Sequence, residues 1–135
     1  MRISEAAREA GVNIRTLHYY ERRGLLAAVP RSSSNYRDYS RGEVRRVLFI
    51  KRAQDLGFTL EEIGELLALR IDSRATCGDV CKKADIKIAD IKLKIKTLRS
   101  MQRALERLTA ACSGSGSVSE CPILESLESG GRSGK

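Results

Sequence analysis

At 135 residues, 41% hydrophobic and 4% aromatic with no tryptophan, the chain suffices for one ordinary domain, or for a small domain followed by an extended element, and excludes two large independent cores. Its formal charge of +8 is unevenly spread: residues 1–52 hold 12 Lys and Arg against 5 Asp and Glu, residues 53–81 hold 2 against 6, and residues 82–107 hold 9 against 3. No apolar run approaches the roughly 18 residues of a membrane span and no secretory signal pattern opens the chain, which predicts a cytoplasmic protein with reduced thiols and no membrane partner.

The basic N-terminal part points to a polyanion, most often nucleic acid. Residues 3–26, "ISEAAREAGVNIRTLHYYERRGLL", carry two short helical patterns broken at Gly11-Val12. Ser4 is expected to cap the first and Asn13 the second, with Ala6, Ala7 and Ala10 turned inward. Two short helices around a glycine turn form a helix-turn-helix pattern, whose second helix enters the major groove. Pro30 and the serine run after it break helix. In "NYRDYS" aromatic and charged residues then alternate, as suits a wing along a phosphate backbone, with Arg37 as charged donor and Tyr36 and Tyr39 for packing and a hydroxyl contact. Candidate DNA contacts are Arg15, Thr16, His18, Tyr19, Tyr36, Arg37 and Arg45, with Arg46, Lys51 and Arg52 within reach of phosphates.

Two further helices are expected between Arg41 and Leu69. Val44, Val47, Leu48 and Ile50 lie on one, and Leu60, Ile63, Leu66 and Leu67 on the other. Gly57 ends the first, and Thr59 with Glu62 makes a capping box for the second. The longest helix should cover residues 83–111, with apolar positions Ala84, Ile88, Ile91, Ile95, Leu98, Met101, Leu105 and Leu108 in a near-heptad seam. At about 1.5 Å per residue such a helix is about 43 Å long. That favours pairing with its own copy in a homodimer over packing back on its own domain.

Four cysteines remain. Cys77 and Cys81 precede the long helix, while Cys112 and Cys121 flank "SGSGSVSE". Cys112 also continues the seam, so a buried small hydrophobe is its plain alternative. A soft metal needs converging thiolates and a backbone free to bend, which Gly114 and Gly116 supply. A straight helix keeps Cys77 and Cys112 of one chain apart, whereas an antiparallel coiled coil brings Cys77 of one chain beside Cys112 and Cys121 of the other. Three thiolates suit Hg(II) or Pb(II), and Cys81 as a fourth ligand would favour Zn(II) or Cd(II). A thiol redox sensor, pairing Cys77 with Cys81 or Cys112 with Cys121, is a second reading. No base or nucleophile pair accompanies the cysteines, which argues against an enzyme.

The fold class is therefore mostly α: a winged helix-turn-helix DNA-binding domain over 1–70, a linker over 71–82 carrying Cys77 and Cys81, a dimerisation helix over 83–111, a metal-binding loop and short helix over 112–128, and a disordered tail over 129–135.

"TLHYYERRGLL", "NYRDYS" and "LGFTLEEI", followed by a long helix and a cysteine loop, resemble the MerR family of metal-responsive bacterial transcription regulators from Ile3 to about Leu127. Within it, Cys77, Cys112 and Cys121 with "CPILESL" are most similar to the mercury-sensing members. The copper-sensing branch lacks a thiol at the position of Cys77. Zinc sensors are similar in "SMQRALERL" but carry another cysteine where Ser113 stands and a histidine in the loop. His18 stands where the family usually has arginine, and the mercury-sensing pattern does not require Cys81. The resemblance implies a homodimer on double-stranded promoter DNA that misaligns the two recognition elements until an effector, here Hg(II) or alternatively Zn(II), Cd(II) or Pb(II), makes it distort the spacer so that RNA polymerase engages.

Overall fold

The computed structural model describes residues 1–27 and 31–130; the break expected at Pro30, and residues 131–135 of the expected tail, lie outside them. The architecture is mostly α, as the sequence predicts. The described residues form six α-helices, a 3₁₀ turn and an isolated antiparallel bridge. They fall into two compact units, Met1–Lys87 and Ile88–Lys135.

In the first unit, α1 (Ile3–Ala10) stops where Gly11 takes a φ of 70° and its N–H turns back to the Ala7 and Arg8 carbonyls, a left-handed conformation that costs glycine least. Asn13 opens α2 (Ile14–Arg22) by accepting the Thr16 backbone N–H at 2.8 Å. Ser4 does not cap α1 as expected. The helix begins at Ile3, which packs on the core, and Arg2 occupies the cap position without a side-chain bond. Capping boxes start both α3 (Arg41–Asp55), through Ser40 and Glu43, and α4 (Leu60–Ile71), through Thr59 and Glu62. Between these helices Gly57 turns the chain at a φ of 99°.

The core of this unit gathers Ala6, Ala7 and Ala10 from α1, Leu17 and Tyr20 from α2, Val44, Val47 and Ile50 from α3, and Ile63 from α4. Three alanines on one face of α1 let its backbone approach α3 closely. Tyr39 also belongs to this core. Expected in the wing for packing and a hydroxyl contact, it is 2% exposed, with its hydroxyl on Glu21 Oε2 at 3.3 Å. Enclosing so large a ring removes more apolar area from water than a surface contact would.

The long helix α5 (Cys77–Ala110) has 34 residues and runs from the first unit into the second. It starts six residues before the apolar seam predicts, because Thr76 and Asp79 cap each other. The Thr76 N–H donates to Asp79 Oδ2 at 2.9 Å and the Asp79 N–H to Thr76 Oγ1 at 3.3 Å. Cys77 and Cys81 therefore lie on its first turns and not in a connecting segment. Within the first unit, α5 is tied to α4 by Lys83 Nζ–Glu65 Oε1 at 3.0 Å and Lys87 Nζ–Glu62 Oε1 at 2.8 Å. The Lys87 side chain is buried, with its ammonium 5.5 Å from the Phe58 ring centroid.

The second unit holds the rest of α5, a loop with a 3₁₀ turn at Val118–Glu120, and α6 (Pro122–Glu128). Proline at the first position of α6 lacks only an N–H that would have no partner there. Ile88, Ile91, Ile95, Leu98, Met101 and Leu105 are all exposed on the single chain. Among the described residues no helix is long and apolar enough to cross a membrane.

Candidate nucleic-acid interface and thiol sites

The helix-turn-helix presents α2 with Arg15 and Tyr19 exposed and Thr16 and His18 half-buried. The Thr16 hydroxyl donates to Asn13 Oδ1 at 2.9 Å, so it serves the cap. Tyr19 collects two arginines that the sequence reading passed over. Arg22 and Arg23 stand 5.9 and 5.8 Å from its ring centroid, and Arg23 Nη1 donates to its hydroxyl at 3.0 Å. The "ERRG" run was the available signal for both.

The wing is a tight turn closed by the Arg31–Arg37 bridge, with the Ser32 N–H donating to the Tyr36 carbonyl at 2.7 Å. Asn35 takes a φ of 65° there, a conformation asparagine tolerates better than most residues. Arg2, also passed over, stacks its guanidinium 4.2 Å from the Tyr36 centroid. Their distance in sequence hid that pair.

Glu21 joins helix to wing. Its Oε1 accepts from Arg37 Nη1 at 2.8 Å and lies 3.3 Å from His18 Nδ1, while its Oε2 accepts from the Tyr39 hydroxyl at 3.3 Å. Burial, with the Glu21 charge behind it, pushes the Tyr39 hydroxyl pKa up. His18, Glu21, Arg22, Leu26 and Arg37 line an open recess of about 370 Å³. The Glu21 carboxylate sits among the basic groups of this recess, paired with Arg37. On α3, Arg41, Arg45, Arg46 and Arg52 are exposed. Arg46 donates from Nε to the Leu25 carbonyl at 2.8 Å, and Lys51 pairs with Asp55 at 3.9 Å. Arg45 and Arg52 are thus better placed for a phosphate than Arg46.

The four cysteines are free thiols, and Cys77, Cys81 and Cys112 are exposed. Cys77 and Cys81 lie one helical turn apart, and the neighbouring Cys77 charge raises the Cys81 pKa. Cys112 follows the end of α5; its Sγ accepts the Gly114 N–H at 3.4 Å. Gly114 and Gly116 take φ values of 81° and 96°, so the loop bends where the sequence placed its glycines. Half-buried Cys121 caps α6 with its backbone, its carbonyl accepting the Glu125 N–H at 3.0 Å. Cys112 is exposed on the single chain, as are the seam residues from Ile88 to Leu105 before it. Among the described residues no three His, Cys, Asp or Glu side chains of one chain gather as a metal site. The donor set of exposed thiols nonetheless fits a soft metal in chemistry.

Residues 1–69 match the model of the MerR HTH family regulatory protein, and residues 44–108 match that described as MerR, DNA binding. The chain is similar to the mercuric resistance operon regulatory protein of Bacillus cereus, 44% identical over 126 residues, covering 93% of this chain and 96% of that one. Solved structures share its fold, two metal-bound regulators among them. The transcription regulator PbrR691 from Ralstonia metallidurans CH34 in complex with lead(II) has a TM-score of 0.80 at 38% identity, covering 94% of this chain and 98% of that one. The dual function regulator MerR from Bacillus megaterium MB1 in complex with mercury(II) has a TM-score of 0.71 at 40% identity, covering 95% and 99%.

Proposed function

The chain belongs to the MerR family of helix-turn-helix regulatory proteins, and from that premise we propose that it is a cytoplasmic, non-enzymatic, mercury(II)-responsive transcription regulator. It binds promoter DNA as a homodimer through Arg15, Thr16, His18, Tyr19, Tyr36, Arg37 and Arg45. The observation that carries the metal reading is the thiol set, exposed Cys77 at the start of α5 with Cys112 and Cys121 around a glycine-bent loop. In an antiparallel dimer Cys77 of one chain joins Cys112 and Cys121 of its partner, giving two three-thiolate sites. The bare apolar face of α5 supports that pairing.

The mechanism follows from linkage. An ion held by thiolates of both chains binds tightly only in the dimer geometry that aligns them, so it shifts the population towards that geometry. The Lys83–Glu65 and Lys87–Glu62 pairs tie the first turns of α5 to α4 within the DNA-binding unit, and a shift of α5 moves that unit. Repositioned DNA-binding units bend and untwist the promoter spacer, and RNA polymerase engages.

The test is transcription from an operator-bearing promoter with reduced protein, titrating Hg(II), Zn(II), Cd(II) and Pb(II) under thiol competition. Activation at far lower Hg(II) than any other ion is expected. Cys77→Ser, Cys112→Ser and Cys121→Ser should each abolish the response and leave operator affinity intact; lost operator binding would make the thiols structural. A Pb(II) sensor is the second reading, favoured by the likeness to the lead(II)-bound regulator. Zn(II) or Cd(II) would point to Cys81 as a fourth ligand. Activation by peroxide without metal would turn the reading to a redox sensor.

A further inference from the structure

The three-thiolate site leaves one cysteine without a task. Cys81 is exposed one turn along α5 from exposed Cys77. Their helical register is fixed by the Thr76–Asp79 caps just before and between them. Asp79 has its carboxylate engaged by the Thr76 N–H, and Gly78 has no side chain.

We propose that Cys77 and Cys81 form a dithiol capture site that holds one Hg(II) ion within a single chain, before the partner's loop takes part. Residues four apart on a helix have Cβ atoms about 5–6 Å apart. A linear S–Hg–S unit, with bonds slightly longer than the ~2.3 Å of zinc to sulfur, spans just under ~5 Å. Side-chain rotation alone brings the two sulfurs to that separation, with the helix unchanged.

Capture is a thiol exchange. A mercury bis-thiolate from the surrounding thiol pool gives up Hg(II) to the two cysteine thiols; two Hg–S bonds form, two break, and the two protons leave on the released thiols. Transfer to the three-thiolate site keeps the bond to Cys77. The partner's Cys112 and Cys121 bind as thiolates, Cys81 departs as a thiol with one of their protons, and the other proton goes to solvent. No electron changes hands. Cys81 is thus an entry ligand, and the second thiolate on one helix face holds the ion against monothiols by its high effective concentration. The proposal rests on the mercury reading for its choice of ion.

The decisive experiment uses full-length reduced protein in which Cys112→Ser and Cys121→Ser remove the loop thiols. Hg(II) is titrated against a monothiol competitor and followed by the thiolate-to-mercury absorption band, with stoichiometry from native mass spectrometry. The site predicts one Hg(II) per chain, bound at least about tenfold more tightly than after further Cys81→Ser. Cys81→Ala in place of serine should give the same loss, with helix content by circular dichroism unchanged. Equal affinities with and without Cys81, or one ion per two chains, would overturn the capture site. Promoter activation in the native protein separates the two readings: capture without an Hg(II) response overturns the effector assignment alone, and a response without capture overturns the dithiol alone.

Discussion

At the scale of single residues, Glu21 organises the basic surface. Its Oε1 lies 2.8 Å from Arg37 Nη1 and 3.3 Å from His18 Nδ1, so a carboxylate, before any phosphate, sets where Arg37 points. Arg37→Ala should weaken operator binding across sequences and lower the slope of log affinity against log salt by about 1. An unchanged slope would leave Arg37 the task of holding the wing to α2. Reading the sequence picked out Arg37 because a charged residue between aromatics is a local pattern. It missed Glu21, whose partners come from its own helix and from the wing, and alternation alone could not tell that the Tyr39 ring faces inward.

Among the elements, helix starts were the most legible feature. Thr59 and Glu62 form their box from four consecutive residues, and such bonds need no tertiary context. The start of α5 was misplaced because its cap, Thr76 with Asp79, precedes the apolar seam by several residues. The link between α4 and α5 was invisible, since a lysine in a helical pattern reads as solvated, whereas Lys87 is buried against Phe58 and Glu62. The hydrogen bond from Lys87, helped by the Thr59 backbone, lowers the Glu62 pKa from 4.5 to about 2. A lowered carboxylate pKa stabilises the fold above the unfolded value, and this contribution is lost as pH falls through the folded one. Lys87→Met should therefore lower the unfolding midpoint by a few degrees at pH 6, and the gap from the native protein should close between pH 4.5 and about 2. A gap independent of pH would mean that Lys87 acts through packing alone.

For the whole molecule, the spacing of Cys77, Cys112 and Cys121 marks them as candidates, while the site proposed between chains needs a second copy to be seen. Complementation supplies the missing test. Neither Cys77→Ser nor Cys121→Ser protein should respond to Hg(II) alone. Mixed dimers of the two keep one complete site, formed by Cys77 of the second and Cys112 with Cys121 of the first, and should recover a partial response. No recovery on refolding the mixture would place all three ligands in one chain. The exposed isoleucines and leucines of α5 have a further consequence inside a cell. A newly made copy without a partner displays the kind of surface that chaperones and proteases recognise on misfolded chains. If the chain pairs as proposed, unpaired subunits would be the ones cleared, and surveillance of protein quality would keep the regulator's pool dimeric without any dedicated control.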